Sequence, residues 1–331
     1  MNVKGFDALT RADLDEWEAV RAANPALDSP YFHPGFSAAV HASGATVHVA
    51  VGDGVFVPHH RDGRTLRPVG WPGADFQGPI LAPGTPFRPL DLLGNGAGGY
   101  AFDHLVEQAP GFERWVVTRR PSPFLDVTGG LAGYLGRASK SGKDNMGQAR
   151  RRAAKAGREH GAVRFEADSG DADALARVIE LKRAQYAATG ARDYFADPAR
   201  VRLMESLLKT RDPGFGGVLS TVHAGSRLLA AHFGLRAGGV LHWWFPVYDP
   251  EFARLSPGWI LLRELTDAAP AMGISRIDLG RGEDEYKRRA KTGESIVCQG
   301  VVTRNPLRRA AVTALARARE MARNGRLPRS R

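Results

Sequence analysis

A single cysteine, Cys298, stands in 331 residues. That excludes an internal disulfide framework and most cysteine-built metal centres. It fits a reducing, cytoplasmic compartment. No apolar run approaches the ~20 residues that cross a bilayer. Residues Met1 to Trp17 mix charged and apolar types with no apolar stretch before a cleavage site, so they do not read as a secretory leader. Acidic residues are the scarcer charge, 35 against 46 lysines and arginines, which leaves +11. The excess is local. Residues 140–158 hold seven basic residues and one acidic; residues 304–331 hold nine arginines and one glutamate. Together these outweigh the whole excess, so the remaining chain is slightly acidic. Each basic segment suits an anion, whether a phosphate-bearing cofactor, a nucleic acid or an anionic membrane, or else is a solvated helix face.

Apolar residues make up 43% of the chain and charged residues 24%, an ordinary globular balance with a core to bury. The length suggests two domains. The early part reads as mixed: a helix over Arg11–Ala23, strands at Ala45–Val51 and Val55–Pro58, a Pro/Gly-rich loop over Pro68–Pro89, a short helix at Ala101–Gln108 and a strand at Arg114–Thr118. Residues 131–160 read as a basic helical arm, weakened by its glycines. Beyond it, Asp171–Thr189 has Leu175, Val178, Ile179, Lys182 and Tyr186 at helical spacing. Asp197-Pro198 opens another helix. Val218–His223, Arg227–Leu235 and Val240–Tyr248 read as successive antiparallel strands, followed by a helix at Ser256–Met272, a strand at Arg276–Leu279, a helix at Glu283–Ala290 and a strand at Ile296–Thr303.

Motifs for several chemistries fail on spacing. Gly94–Gly99 satisfies G-x-G-x-x-G formally, but its leading strand is short and no acidic residue ends the next strand. Ser141-Gly142-Lys143-Asp144 lacks the glycine and hydroxyl of a phosphate loop. The histidines at 33, 41, 48, 59 and 60 have no metal-ligand spacing, and no G-x-S-x-G elbow occurs. The segment with most chemical content is Leu255-Ser256-Pro257-Gly258-Trp259. Ser256 can cap and Pro257 suits the first turn. Gly258 leaves room for a large anion at the N–H groups of Gly258, Trp259 and Ile260, or the segment is an ordinary capped core helix.

The ordered set Tyr248-Asp249, Ser256-Pro257-Gly258, Asp278-Leu279-Gly280 and Tyr286-Lys287 resembles the GNAT acyltransferase superfamily. More narrowly it resembles the acetyltransferases involved in cellulose biosynthesis (CelD/BcsL type), which are related to FemX-like aminoacyltransferases. Leu181–Tyr186 and Gly73–Pro79 extend the likeness upstream, over about residues 10–303. Asn145 stands apart from Arg150-Arg151-Arg152, unlike the family pattern, and the arginine-rich tail is not a family feature.

The resemblance implies an α+β, tandem GNAT-like fold with two mixed sheets flanked by helices. Its parts would be a degenerate lobe over 1–130, the arm over 131–160, an acyl-CoA-binding lobe over 161–303 and a tail over 304–331. It implies transfer from acetyl-CoA or another acyl-CoA, without a metal, by direct attack of an amine or hydroxyl. The acceptor would be a small molecule or a cell-envelope polysaccharide. The acyl group would lie where the strands Val240–Tyr248 and Arg276–Leu279 part, with Tyr248, Ser256, Pro257, Gly258, Trp259 and Ile260 on the cofactor.

His232 is then the base or a core histidine; Asp249 orients the acceptor, acts as base or caps a loop; Tyr286 is the acid or a packed aromatic. Lys287 supports developing negative charge or is a surface lysine. Asp278 orients Lys287 or His232, or caps. Asp75, Gln77, Gln185, Tyr186, Trp243 and Trp244 are acceptor contacts, with the core the simpler reading for the tryptophans. Two rivals follow: an aminoacyl-tRNA-dependent transferase gripping RNA with the arm, and a non-catalytic RNA- or anionic-membrane-binding protein. The tail carries Leu307, Ala311, Leu315, Ala318 and Ala322 on one face, for a membrane or for docking on the body.

Overall fold

The structure is a computed structural model and describes residues 1–94, 96–210 and 212–324. Asn95 of the glycine-rich run and the last seven positions of the tail lie outside the described residues. In chain order the strands begin with β1 (Asn2–Gly5), β2 (His48–Gly52), β3 (Val55–Asp62), β4 (Thr65–Pro68), β5 (Ile80–Leu81), β6 (Gly99–Val106) and β7 (Val116–Asp126). They continue with β8 (Val163–Glu166), β9 (Phe215–Ala224), β10 (Arg227–Ala237), β11 (Val240–Tyr248), β12 (Arg276–Asp278) and β13 (Gly293–Val302). The α-helices are α1 (Arg11–Ala22), α2 (Pro34–Ala42), α3 (Gly130–Arg137), α4 (Lys140–His160), α5 (Ala172–Thr189), α6 (Pro198–Lys209), α7 (Pro257–Ala268), α8 (Glu285–Ala290) and α9 (Pro306–Asn324). Among the described residues no helix is long and apolar enough to cross a membrane.

The chain divides into two units, and neither is continuous in sequence. One holds residues 1–27, 46–120 and 296 onward; the other holds 28–45 and 121–295. The boundaries expected at 130, 160 and 303 are therefore displaced. Residues 28–45 belong with the second unit because α2 packs on α6, and the His33 ring stacks on Phe215 at 4.7 Å. The basic arm is no linker either. Helix α4 packs on α7 and α8, burying Gly142, Asn145, Met146, Ala149 and Ala156 and leaving Lys143, Arg150, Arg151 and Arg158 exposed.

In the first unit the strand order is β1-β2-β3-β4-β6-β13, antiparallel except for the parallel pair β4–β6. In the second it is β8-β9-β10-β11-β12-β7, antiparallel except for the parallel pair β11–β12. Both units are mixed sheets with helices, the α+β organisation expected. Strands β9, β10 and β11 are buried along nearly their whole length, as central strands covered on both faces are.

Local chemistry sets the helix starts. Thr10 and Asp13 form a capping box on α1, Asp171 caps α5, and Asp197 with Pro198 opens α6. Two readings are corrected. Ala101–Gln108 is not a helix: residues 99–106 form β6, with Tyr100, Phe102 and His104 buried at a period of two. The docking side of α9 is also not the expected apolar face. Leu307 and Leu315 are exposed, while Ala316 is buried and Arg308 donates to Thr65 Oγ1 at 2.7 Å.

Candidate functional site

The parallel pair of the second unit is short. Val240, Leu241 and His242 pair with Arg276, Ile277 and Asp278; there β12 ends while β11 runs on to Tyr248. The two strands therefore part after His242. A cavity of about 650 Å³ opens there, lined by Trp243, Pro246, Val247 and Tyr248 of β11, by Leu181 and Gln185 of α5, by Ser256–Trp259 at the start of α7, and by Tyr286.

The start of α7 is shaped for close approach. A Cβ on Gly258 would meet no atom within 4 Å. Ser256 is the only non-glycine residue with positive φ among the described residues, at 46°. Its side chain makes no capping bond, contrary to expectation, and the strained turn points the chain into the helix instead. Of the three N–H groups expected to face an anion, that of Trp259 donates to the Ser256 carbonyl at 3.0 Å. Ile260 is fully buried and does not line the cavity with its side chain.

A second, polar cavity of about 610 Å³ shares Ser256 and Trp259 with the first. Lys140, Arg152 and Arg289 line it, with Asp144 as the one acidic group and Asn145 and Gln148 as neutral partners. Helix α4 and α8 place these bases together. Gly142 allows it, since a Cβ there would stand 2.9 Å from both the Arg289 carbonyl and Tyr134 Oη. Tyr134 Oη in turn donates to the Ala290 carbonyl at 2.8 Å, and burial lifts its pKa to about 12.

Several candidates resolve toward structural roles. His232 has no exposed surface and stacks on Trp243 with ring centroids 4.2 Å apart. Burial, despite a contact with the His242 carbonyl, lowers its pKa to about 3, so the near-neutral titration that suggested a base is lost. Asp249 caps the turn at Pro250–Leu255, accepting from the Glu251 N–H at 3.0 Å, and lies 3.5 Å from Arg177. Asp278 orients neither Lys287 nor His232. It is buried and holds Arg276 Nε at 3.0 Å, and the same guanidinium grips Asp28 through two bonds of 2.6 and 2.7 Å. Burial pushes the Asp278 carboxyl up and Arg276 opposes it. Trp244 joins an aromatic cluster with Tyr31, Phe36, Tyr194 and Phe245 and does not line the cavity.

Asp75 and Gln77 lie in the first unit. The Gln77 amide is spent on Ala74, Asp103 and His104, and Asp75 stands 3.4 Å from His104 Nε2. Gln77 is buried, with its amide taken up by these bonds.

Lys287 is not a surface lysine. It is buried, and Nζ donates to the carbonyls of Gly280 and Arg281 at 3.3 and 3.1 Å, with Asp284 at 3.5 Å. A second lysine lies outside the ordered set of motifs that carries the family resemblance. Lys182 on α5 reaches toward the Pro246 carbonyl at 3.5 Å and lies 5.6 Å from the Tyr186 ring centroid. Burial chiefly, and then the charge of Lys287, lowers its pKa to about 8. The signal was present as a lysine inside the apolar stripe of α5.

Residues 144–288 match the family model described as an acetyltransferase (GNAT) domain. Among solved structures, FemX has a TM-score of 0.59 at 9% identity, covering 91% of this chain and 96% of its own. The C-terminal domain of a candidate lysylphosphatidylglycerol synthetase from Agrobacterium fabrum has a TM-score of 0.57 at 13% identity, covering 92% and 94%. L-PGS from Bacillus licheniformis has 0.55 at 12%, covering 91% and 95%. No curated protein matches the sequence. At these identities the structures share the fold.

Proposed function

We propose that the second unit is an acyltransferase that takes an acyl group from acyl-CoA, acetyl-CoA in the simplest case, and passes it to an amine or hydroxyl. The observation that carries this reading is the cavity lined by the glycine-opened start of α7 and by the end of β11 that runs on past its pairing with β12. The residues present fit such a donor. Gly258 leaves open space where a phosphate group would approach the helix N-terminus. Trp243 has a buried indole Nε1 with no hydrogen-bond partner among the described residues. The adjoining cavity offers Lys140, Arg152 and Arg289 to further phosphate. When bound, the donor supplies an activated acyl carbonyl.

The chain's own groups then do three things. The end of β11 from Trp243 to Tyr248, paired to β10 but no longer to β12, holds the acyl portion. Tyr286 stands at the same cavity and can protonate the leaving group. Lys287, fixed on two carbonyls beyond β12, places a positive charge beside the gap. A polysaccharide or other cell-envelope acceptor, as in the CelD/BcsL type, is the finer reading that the resemblance supports.

The basic cavity also favours a second reading, an aminoacyl-tRNA donor whose phosphates meet Lys140, Arg152 and Arg289. On α9, Leu307 and Leu315 lie exposed among arginines, the feature that would serve contact with an anionic membrane.

Thermal unfolding with acetyl-CoA, desulfo-CoA and bulk tRNA separates these readings, since a ligand that binds only the folded chain raises the midpoint. The acyl-CoA reading expects a rise with both CoA forms and none with tRNA. A rise with tRNA alone, lost on adding salt, would replace it with the second reading.

A further inference from the structure

Two lysine ammonium groups lie near the parting strands, one reaching β11 and one held on the turn that follows β12. Lys182 reaches the carbonyl of Pro246, four residues past the last paired position of β11. Lys287 is fixed on Gly280 and Arg281, just past the end of β12. The difference between them lies in their partners. Lys287 has two carbonyls and Asp284 nearby. Among the described residues Lys182 has one long contact, to the Pro246 carbonyl, and an aromatic ring.

We propose that Lys182 is the proton acceptor of the transfer reaction, the role that buried His232 cannot fill. This rests on the acyltransferase reading above. In the step, the neutral Lys182 amine takes the proton from the attacking N–H or O–H of the acceptor. The acceptor atom forms its bond to the acyl carbon, the bond from that carbon to sulfur breaks, and the thiolate leaves with a proton from Tyr286 or solvent. Lys182 returns its proton to water.

The surroundings keep Lys182 able to lose a proton near neutrality. Lys287 acts on it as a like charge and Asp284 as a weaker opposite one. The other charged groups near α5 are committed elsewhere: Arg183 to Asp193, Arg177 to Glu180 and Asp249, and Arg200 to the Tyr194 carbonyl and ring. From β10, His232 is neutral, and β11 contributes His242 and Tyr248. On α6, Arg202 donates to the Ser43 carbonyl, and Glu205 and Lys209 complete the set.

The test joins two readouts. With lysine labelled with carbon-13 at Cε, the Lys182 resonance, assigned by its loss in Lys182→Met, should titrate near pH 8. It should move to higher pH in Lys287→Met, because the like charge is gone. Acetyl-CoA hydrolysis, with water as the acceptor and free thiol as the signal, should rise with pH to a plateau above that midpoint. Lys182→Met and Lys182→Arg should both cut this rate at least tenfold and remove the limb, since the guanidinium does not release its proton. Both variants should still bind acetyl-CoA in calorimetry, which also reports that they are folded. A Lys182 resonance titrating near 10.5, or a limb kept at the same pH in Lys182→Arg, would overturn the assignment while leaving the donor reading intact. Failure of the unaltered chain to bind acetyl-CoA would overturn the donor reading and this role with it.

Discussion

Each unit has a path of six strands with one parallel pair, and the first adds β5, paired to β3. They differ in what joins and fills that pair. In the second unit, β11 and β12 are joined through α7, and the space past their last pairing is a cavity. In the first unit, β4 and β6 are joined through residues 69–98, which form no α-helix among the described positions. There the chain folds back on itself: Gln77 bridges Leu105 of β6 in parallel register, its N–H on the His104 carbonyl and its carbonyl on the Val106 N–H, both at 2.9 Å. The place beside β6 that stays open beside β12 is filled by backbone and a buried amide. The crossover through α7 leaves a cavity in the second unit, and the loop of the first fills the corresponding place.

The comparison can be broken at its supports. The largest effect is expected at Arg276, which neutralises buried Asp278 where β12 ends. Arg276→Ala should cost about 3–5 kcal/mol, because it leaves a buried carboxylate unpaired. Denaturant unfolding should find part of that loss restored when Asp278→Asn is added. A smaller effect is expected at the plug of the first unit. Gln77→Ala strands buried donors and acceptors and should cost about 1–3 kcal/mol. Acetyl-CoA affinity should stay unchanged in calorimetry; a loss of affinity would mean that the plug serves the site.

A third effect, absent at neutral pH and growing only on acidification, is shared by both units. His59 in the first has its pKa lowered to about 4, and His232 in the second to about 3, in each case chiefly by burial. Between pH 6.5 and these values the unfolded chain binds the proton and the folded chain does not, so stability falls as pH falls. Each histidine contributes about 1.4 kcal/mol per pH unit across that window. His232→Gln should flatten the acid side of the stability curve by one such slope and leave the His59 share in place.

Much of this was legible in the sequence where a single residue type carries the local geometry. Asp171, Asp197-Pro198 and Pro257 announced three helix starts, and Tyr248, Ser256, Gly258, Trp259, Gln185, Trp243 and Tyr286 do meet at one cavity. The misread places are those where tertiary packing reverses a local signal. The glycines of α4 looked like breaks, yet Gly142 is what lets the helix approach the Arg289 carbonyl. The stretch Ala101–Gln108 had helix-compatible residues, but pairing with β13 settles it as strand. The Asp28–Arg276 bonds join residues 248 apart, which no local pattern encodes. Titration was equally hidden: a histidine near 3 and a lysine near 8 are products of burial, and burial follows from the fold.

On the acyltransferase reading the chain holds one donor site, in the second unit, at the start of α7. Calorimetric titration of the intact chain and of Gly258→Trp with acetyl-CoA tests it most directly. One site per chain is expected, and its loss in Gly258→Trp, whose indole would occupy the open space beside the helix start. Two equivalent sites, or undiminished affinity in the variant, would contradict it.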